Sequence, residues 1–185
     1  MTATPGPAPI RVPPGAESVV PRGSGAGGGG YGSRAVKRHP ALVPLSQDHH
    51  RALVSAQRLR RATAQTAAEA ARAFREHWET GERVHFRVEE EVLLPAFAAH
   101  ADPGHPVVVR VLLDHVAIRR DVDRLAAGVP LELLHDLGAR LAAHVDLEER
   151  ELFPLVEATL PEDALAALGE RLRAAEAARE APPPD

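Results

Sequence analysis

The sequence predicts an all-α protein: an up-down-up-down four-helix bundle with a short additional C-terminal helix and a disordered N-terminal arm. Three observations lead there. Apolar residues recur at helical spacing between a few short, breaker-rich connections. Aromatics are scarce (Phe74, Trp78, Phe86, Phe97, Phe153 and Tyr31), so the core must be Leu, Val and Ala, which suits packed helices better than a sheet. A pattern in the second helix also returns in the fourth: His85, Glu89 and Pro95, then His144, Glu148 and Pro154, 59 residues later.

The elements follow in order. Residues 1–38 are rich in Pro and Gly, including Gly27 to Gly30, and such a segment buries too little apolar surface to offset its ordering entropy. They are read as a disordered arm, and residues 181–185 as a tail. The bundle is expected over 39–160 and the extra helix over 161–180. Helix one is expected from Ser46 to Ala64. Helix two runs from Ala67 to Phe97, with Gly81 as a tolerated weak point. Ala101-Asp-Pro-Gly-His-Pro106 is a turn, after which helix three extends to Ala127. Gly128-Val-Pro130 ends it, and helix four spans Leu131 to Thr159, stopped by Leu160-Pro161. The last helix starts near Glu162, with Leu165, Leu168 and Leu172 as one apolar stripe, and packs on the outside. Short connections favour antiparallel neighbours.

Charge and composition exclude several classes. Net charge is -4, from 22 basic and 26 acidic residues, with no block of like charge to suggest nucleic acid or an anionic membrane. No run of eighteen apolar residues and no secretory pattern is present, so a cytoplasmic protein is expected. With no cysteine, disulfides, thiolate zinc sites and iron–sulfur clusters are ruled out, and any metal must be held by His and carboxylate.

The polar residues on the inward seams carry the chemistry. Four residues rotate a helix by about 400°, so a His and a Glu four apart share a face. On helix three Val111, His115, Ile118, Val122 and Leu125 form a 4-3-4-3 stripe. Helix one has the same stripe in Leu45, His49, Ala52, Ala56 and Leu59, which selects His49 over its neighbour His50, kept as the alternate. Helix two presents Phe74, Trp78, Gly81, His85, Glu89 and Val92, and helix four Leu134, Leu137, Leu141, His144, Glu148 and Leu152. Six polar groups thus fall on core positions: His49, His85, Glu89, His115, His144 and Glu148. Left unsatisfied, each would cost roughly 1–3 kcal/mol, more for a carboxylate. A pair of divalent metal ions resolves the cost, with four imidazole donors and two carboxylates placed to bridge. Glu90 and Glu149 lie about 140° round from their histidines, as outward charges or partners to ring N–H groups. His39, His77, His100, His105 and His135 fall in loops or off the seams and are read as solvated or locally capping. Pro95 and Pro154 each either bend the helix beyond the site or stand near its end.

At these residues the chain resembles the hemerythrin-like family, the His-His-Glu cation-binding domains, over about 45 to 160. The motifs are Asp48-His49-His50, His85-Phe86-x-x-Glu89-Glu90 with Leu94-Pro95, Asp114-His115, and His144-x-x-x-Glu148-Glu149 with Phe153-Pro154. The resemblance implies a four-helix bundle with a non-haem di-iron centre: two iron ions, oxo- or carboxylate-bridged, held by His49, His85, Glu89, His115, His144 and Glu148. Oxygen-carrying hemerythrins have a further histidine four residues after the helix-three ligand, where this chain has Arg119. Their last carboxylate is an Asp five residues after its His, where this chain has Glu149 and Glu148 is the better match. The reduced set looks like the branch linked to nitrosative stress and iron-centre repair, which often carries an N-terminal cysteine-containing domain. The departures put reversible oxygen carriage and iron–sulfur repair in question. Three functions follow as expectations: a di-iron protein binding or sensing a small diatomic ligand such as O2 or NO; an enzyme reducing peroxide, O2 or NO at the same centre, or a stress-linked repair protein; or a bundle without redox role, holding zinc or nothing.

Overall fold

The computed structural model describes residues 37–180; residues 1–36 of the expected arm (1–38) and the tail (181–185) lie outside the described residues. All regular structure among the described residues is helical. A 3-10 turn, Pro40–Leu42, leads into α1 (Val43–Arg60). Helix α2 covers residues 67–98, α3 is Pro106–Ala127, α4 covers residues 131–159, and α5 is Glu162–Glu180.

Helix starts are written in local chemistry. Pro106 stands in the first turn of α3, where its missing N–H is not needed, and the His105 ring accepts from the Val107 N–H. His39 does the same for Ala41, and Pro44 lies in the first turn of α1, so the first helix begins earlier than the expected Ser46. It ends earlier too, at Arg60, because Thr63 and Thr66 close a turn on one another.

Two of the long helices are not uniform. Three five-residue π turns interrupt them: Trp78–Glu82 and Glu89–Leu93 in α2, and Glu148–Leu152 in α4. The last two explain Pro95 and Pro154. The Leu94 N–H bonds the Glu89 carbonyl five residues back, and the Phe153 N–H bonds that of Glu148. In a regular α-helix the next residue, proline, would collide with the carbonyl four residues behind and leave it without a donor. The wider turn absorbs the mismatch, and the helices run on to Ala98 and Thr159. The π turns also slip the inward seam of α2 by one residue. Glu82 and Leu93 are buried there, in place of the expected Gly81 and Val92, which are only partly covered.

Helices α1 and α4 approach closely at Gly138. A Cβ there would lie 2.7 Å from the Ala56 carbonyl oxygen and 2.9 Å from the Leu59 Cβ, so only glycine permits this backbone approach. The core has two parts. One gathers Phe74, Trp78, Phe86, Ile118, Leu134 and Leu137. The other gathers Leu42, Leu93, Phe97, Val111, Phe153 and Val156, and α5 joins it through Leu165, Leu168 and Leu172. No helix among the described residues is long and apolar enough to cross a membrane.

Candidate metal centre

The polar residues of the four seams meet in the bundle interior, among side chains of the two apolar clusters. His49, Glu89, His115, His144 and Glu148 are at most 3% exposed, and His85 is 2% exposed. The donor atoms of His49, His85, Glu89 and Glu148 lie within 4.8 Å of one another, and so do those of Glu89, His115, His144 and Glu148. The two groups share both carboxylates. His50, the alternate on α1, is exposed on the bundle surface, because a one-residue step turns a side chain by about 100°.

Each shared carboxylate divides its oxygens between the groups. Glu89 sets Oε1 3.4 Å from His85 Nε2 and Oε2 3.3 Å from His115 Nε2. Glu148 sets Oε2 3.1 Å from His49 Nε2 and Oε1 3.2 Å from His144 Nε2. His49 Nε2 and His85 Nε2 are 3.2 Å apart. These separations suit a cation: donors at right angles on bonds of about 2.1 Å stand about 3.0 Å apart. Hydrogen bonding leaves most of these atoms unsatisfied. Both oxygens of Glu89 and of Glu148, His115 Nε2 and both ring nitrogens of His144 are buried without a hydrogen-bond partner. Orphaned buried acceptors are rare in folded proteins, and of these atoms all but His144 Nδ1 belong to the two donor groups. The donor set therefore fits a pair of cations.

The outer ring nitrogens meet a second circle of carboxylates, each from another helix. His49 Nδ1 lies 2.7 Å from Glu149 Oε1, and His115 Nδ1 lies 2.7 Å from Glu90 Oε1. His85 Nδ1 is 3.4 Å from Asp48 Oδ2, and His144 Nδ1 is 3.9 Å from Asp114 Oδ2, too long for a direct bond. An ionised carboxylate only accepts, so Nδ1 carries a proton at the two short contacts and Nε2 is the nitrogen that faces inward. The sequence shows the Asp-His dipeptides of α1 and α3, but their aspartates face histidines of the neighbouring helices, Asp48 toward His85 and Asp114 toward His144, which nothing local to the dipeptide reveals.

The electrostatics of the metal-free cluster are those of interlocked ion pairs. Burial pulls His49 down, but the adjacent carboxylates of Glu148 and Glu149 outweigh it and raise it to about 9. His115 is raised against burial to about 10 by Glu148, Glu89 and Glu90. His85 is raised well above its usual value against burial, by Glu89 and Asp48. His144 is lowered, by burial first. Glu90 is held at about 2 by the His115 hydrogen bond, against burial and with help from Arg119. Burial pushes Glu149 up, yet His49, Ser46 and Arg38 bring it to about 2.

The other histidines take local roles. His39 and His105 cap helix starts, His135 Nε2 bonds the Ala62 carbonyl at 2.9 Å, and His77 pairs with the buried Glu82 at 3.2 Å. His100 is exposed.

Comparison with known proteins gives one result. The Hemerythrin HHE cation binding domain family matches residues 42–156. Searches of curated proteins and of solved structures gave no match. The matched span contains all six residues of the cluster and stops short of α5. The chain belongs to the hemerythrin HHE cation-binding domain family.

Proposed function

We propose that the cluster is a dinuclear non-haem iron centre that binds a small ligand such as O2 or NO, as a sensor or scavenger. The division of each carboxylate between the two histidine pairs carries this reading. His49 and His85 with one oxygen each from Glu89 and Glu148 would hold one ion. His115 and His144 with the other two oxygens would hold its neighbour. That gives four protein donors per ion, all N or O and none sulfur, a set suited to iron and short of the six positions iron commonly fills. The remaining positions are where an exogenous ligand would enter. Iron supplies reversible coordination and one-electron redox chemistry when bound. The chain's own residues supply the rest: Glu149 and Glu90 orient the imidazoles, Phe86 and Phe153 exclude water, and the bundle core keeps the surroundings dry.

The test is metal content of the full chain produced in iron-replete cells. Two irons per chain, lost when Glu89 and Glu148 are both changed to Ala, support the centre, and nitric oxide or O2 added to the reduced protein should then change its visible spectrum. No metal, or a single weakly held zinc, would end the proposal.

A further inference from the structure

Each half of the cluster is closed by the same ring of four side chains. Around His115, the imidazole meets Glu90 at 2.7 Å, and Arg119 holds both oxygens of Glu90, Nη1 to Oε1 at 2.7 Å and Nη2 to Oε2 at 3.1 Å. The Arg119 guanidinium lies over the Phe86 ring at 5.5 Å, and Phe86 stacks on His115 with centroids 3.9 Å apart and planes 11° from parallel. Around His49, the imidazole meets Glu149 at 2.7 Å, and Arg38 holds Glu149 Oε2 at 2.8 Å. Arg38 lies over the Phe153 ring at 5.1 Å, and Phe153 stacks on His49 at 5.3 Å and 7°.

The internal repeat does not explain this match. Four residues after His49, where the repeat would place a counterpart of Arg119, stands the exposed Leu53. Eleven residues before His115, the counterpart of Arg38, stands Gly104. Phe86 corresponds to Val145 in the other half, and Phe153 to Leu94. One arginine comes from inside α3. The other comes from the segment before α1, outside the matched 42–156 span, and is fixed there by the Glu149 carbonyl at 2.7 Å and by Glu157. The same circuit has been assembled twice from non-equivalent positions, which points to a requirement of the site itself.

We propose that Arg38 and Arg119 are positioning residues of the two halves: each pins an outer glutamate so that it fixes one imidazole with Nε2 aimed at the cation. A free glutamate side chain has several rotamers, and the contact with Nδ1 needs one that reaches it. The planar guanidinium fork holds that one, and the phenyl ring holds the guanidinium. Arg38, grouped by sequence with the arm, thereby becomes part of the centre's support. The inference rests on the two-cation reading above.

The test is stepwise titration of the metal-free full chain with Co2+, read by visible absorption and calorimetry, for wild type, Arg38→Gln, Arg119→Gln and the double variant. Each single variant should weaken a different one of the two ions, by about tenfold or more, the scale on which a ligand's supporting partner acts. The double variant should weaken both. In a His115→Ala background, Arg119→Gln should add no further loss, whereas a merely structural arginine would add its effect independently. Melting of the metal-free variants is followed in parallel. If wild type binds two ions and both single variants bind them as tightly, the inference falls alone. It also falls if both variants weaken the same ion, or if the loss only tracks a loss of folded protein. If wild type binds no divalent ion, the two-cation reading falls and takes the inference with it.

Discussion

Removing the metal should cost this protein a measurable share of its stability. Glu89 and Glu148 are fully buried, and none of their four carboxylate oxygens has a hydrogen-bond partner in the metal-free arrangement. A buried polar group left unsatisfied costs about 1–3 kcal/mol, and more when charged. The paired imidazoles soften this, since His49 and His115 stay protonated to about 9 and about 10. Two carboxylates then give a net penalty of about 2–6 kcal/mol. Mass action sets a similar scale, because an ion at a thousand times its dissociation constant stabilises by about 4.1 kcal/mol. For a chain of this length, 1 kcal/mol moves the melting midpoint by about 2–4 °C. Loaded protein should therefore melt roughly 5–20 °C above protein stripped with a chelator. The assay is thermal unfolding by circular dichroism with metal content measured on the same samples. In Glu148→Ala the difference should vanish. If wild type holds two ions yet melts at the same temperature with and without them, the cluster is not where the ions bind.

Other outcomes follow from particular contacts. Gly138→Ala should destabilise the protein by about 1–3 kcal/mol through the clash of α1 with α4, seen as a lower melting midpoint with metal stoichiometry unchanged. His49→Ala should lose metal while His50→Ala keeps it, read by metal analysis, because one side chain is in the cluster and the other is on the surface. Metal loading at pH 7 should release protons, measurable as a buffer-dependent heat in calorimetry. His49 and His115 carry protons below about 9 and about 10 in the metal-free protein, so a cation must displace them and its affinity should rise with pH through neutrality. The pH dependence of metal-free stability has two windows. The raised histidines stabilise fully below their unfolded value near 6.5 and lose that contribution as pH rises through about 9 to 10. The depressed Glu90 and Glu149 contribute above about 4.5 and lose it as pH falls toward about 2, so acid and alkaline denaturation profiles should both show these limbs.

The sequence alone carried the helical class, the breaks at residues 101–106, 128–130 and 160–161, and the six cluster residues, for one physical reason. A helix of 3.6 residues per turn projects its buried positions onto a line, so a His or Glu that interrupts an apolar stripe announces its direction. His115 among Val111, Ile118 and Val122 is legible in that way, and so is His49 among Leu45, Ala52 and Ala56. The repeat carries one step further, since it relates Leu152 in α4 to Leu93 in α2, the buried residue that uniform periodicity replaces with Val92. What periodicity misses is any change in the period. The π turns beginning at Trp78, Glu89 and Glu148 each add a residue to one turn, and the first of them puts Glu82 on the inner face of α2, beside His77. Only the tertiary structure decided how the helices stand beside one another. Their axial offset and mutual rotation set Asp48 against His85 and Asp114 against His144, bring Phe153 onto His49 and Arg38 onto Glu149, and press Gly138 against Ala56. These contacts join residues far apart in the chain and follow no spacing rule, because they depend on how whole helix surfaces fit.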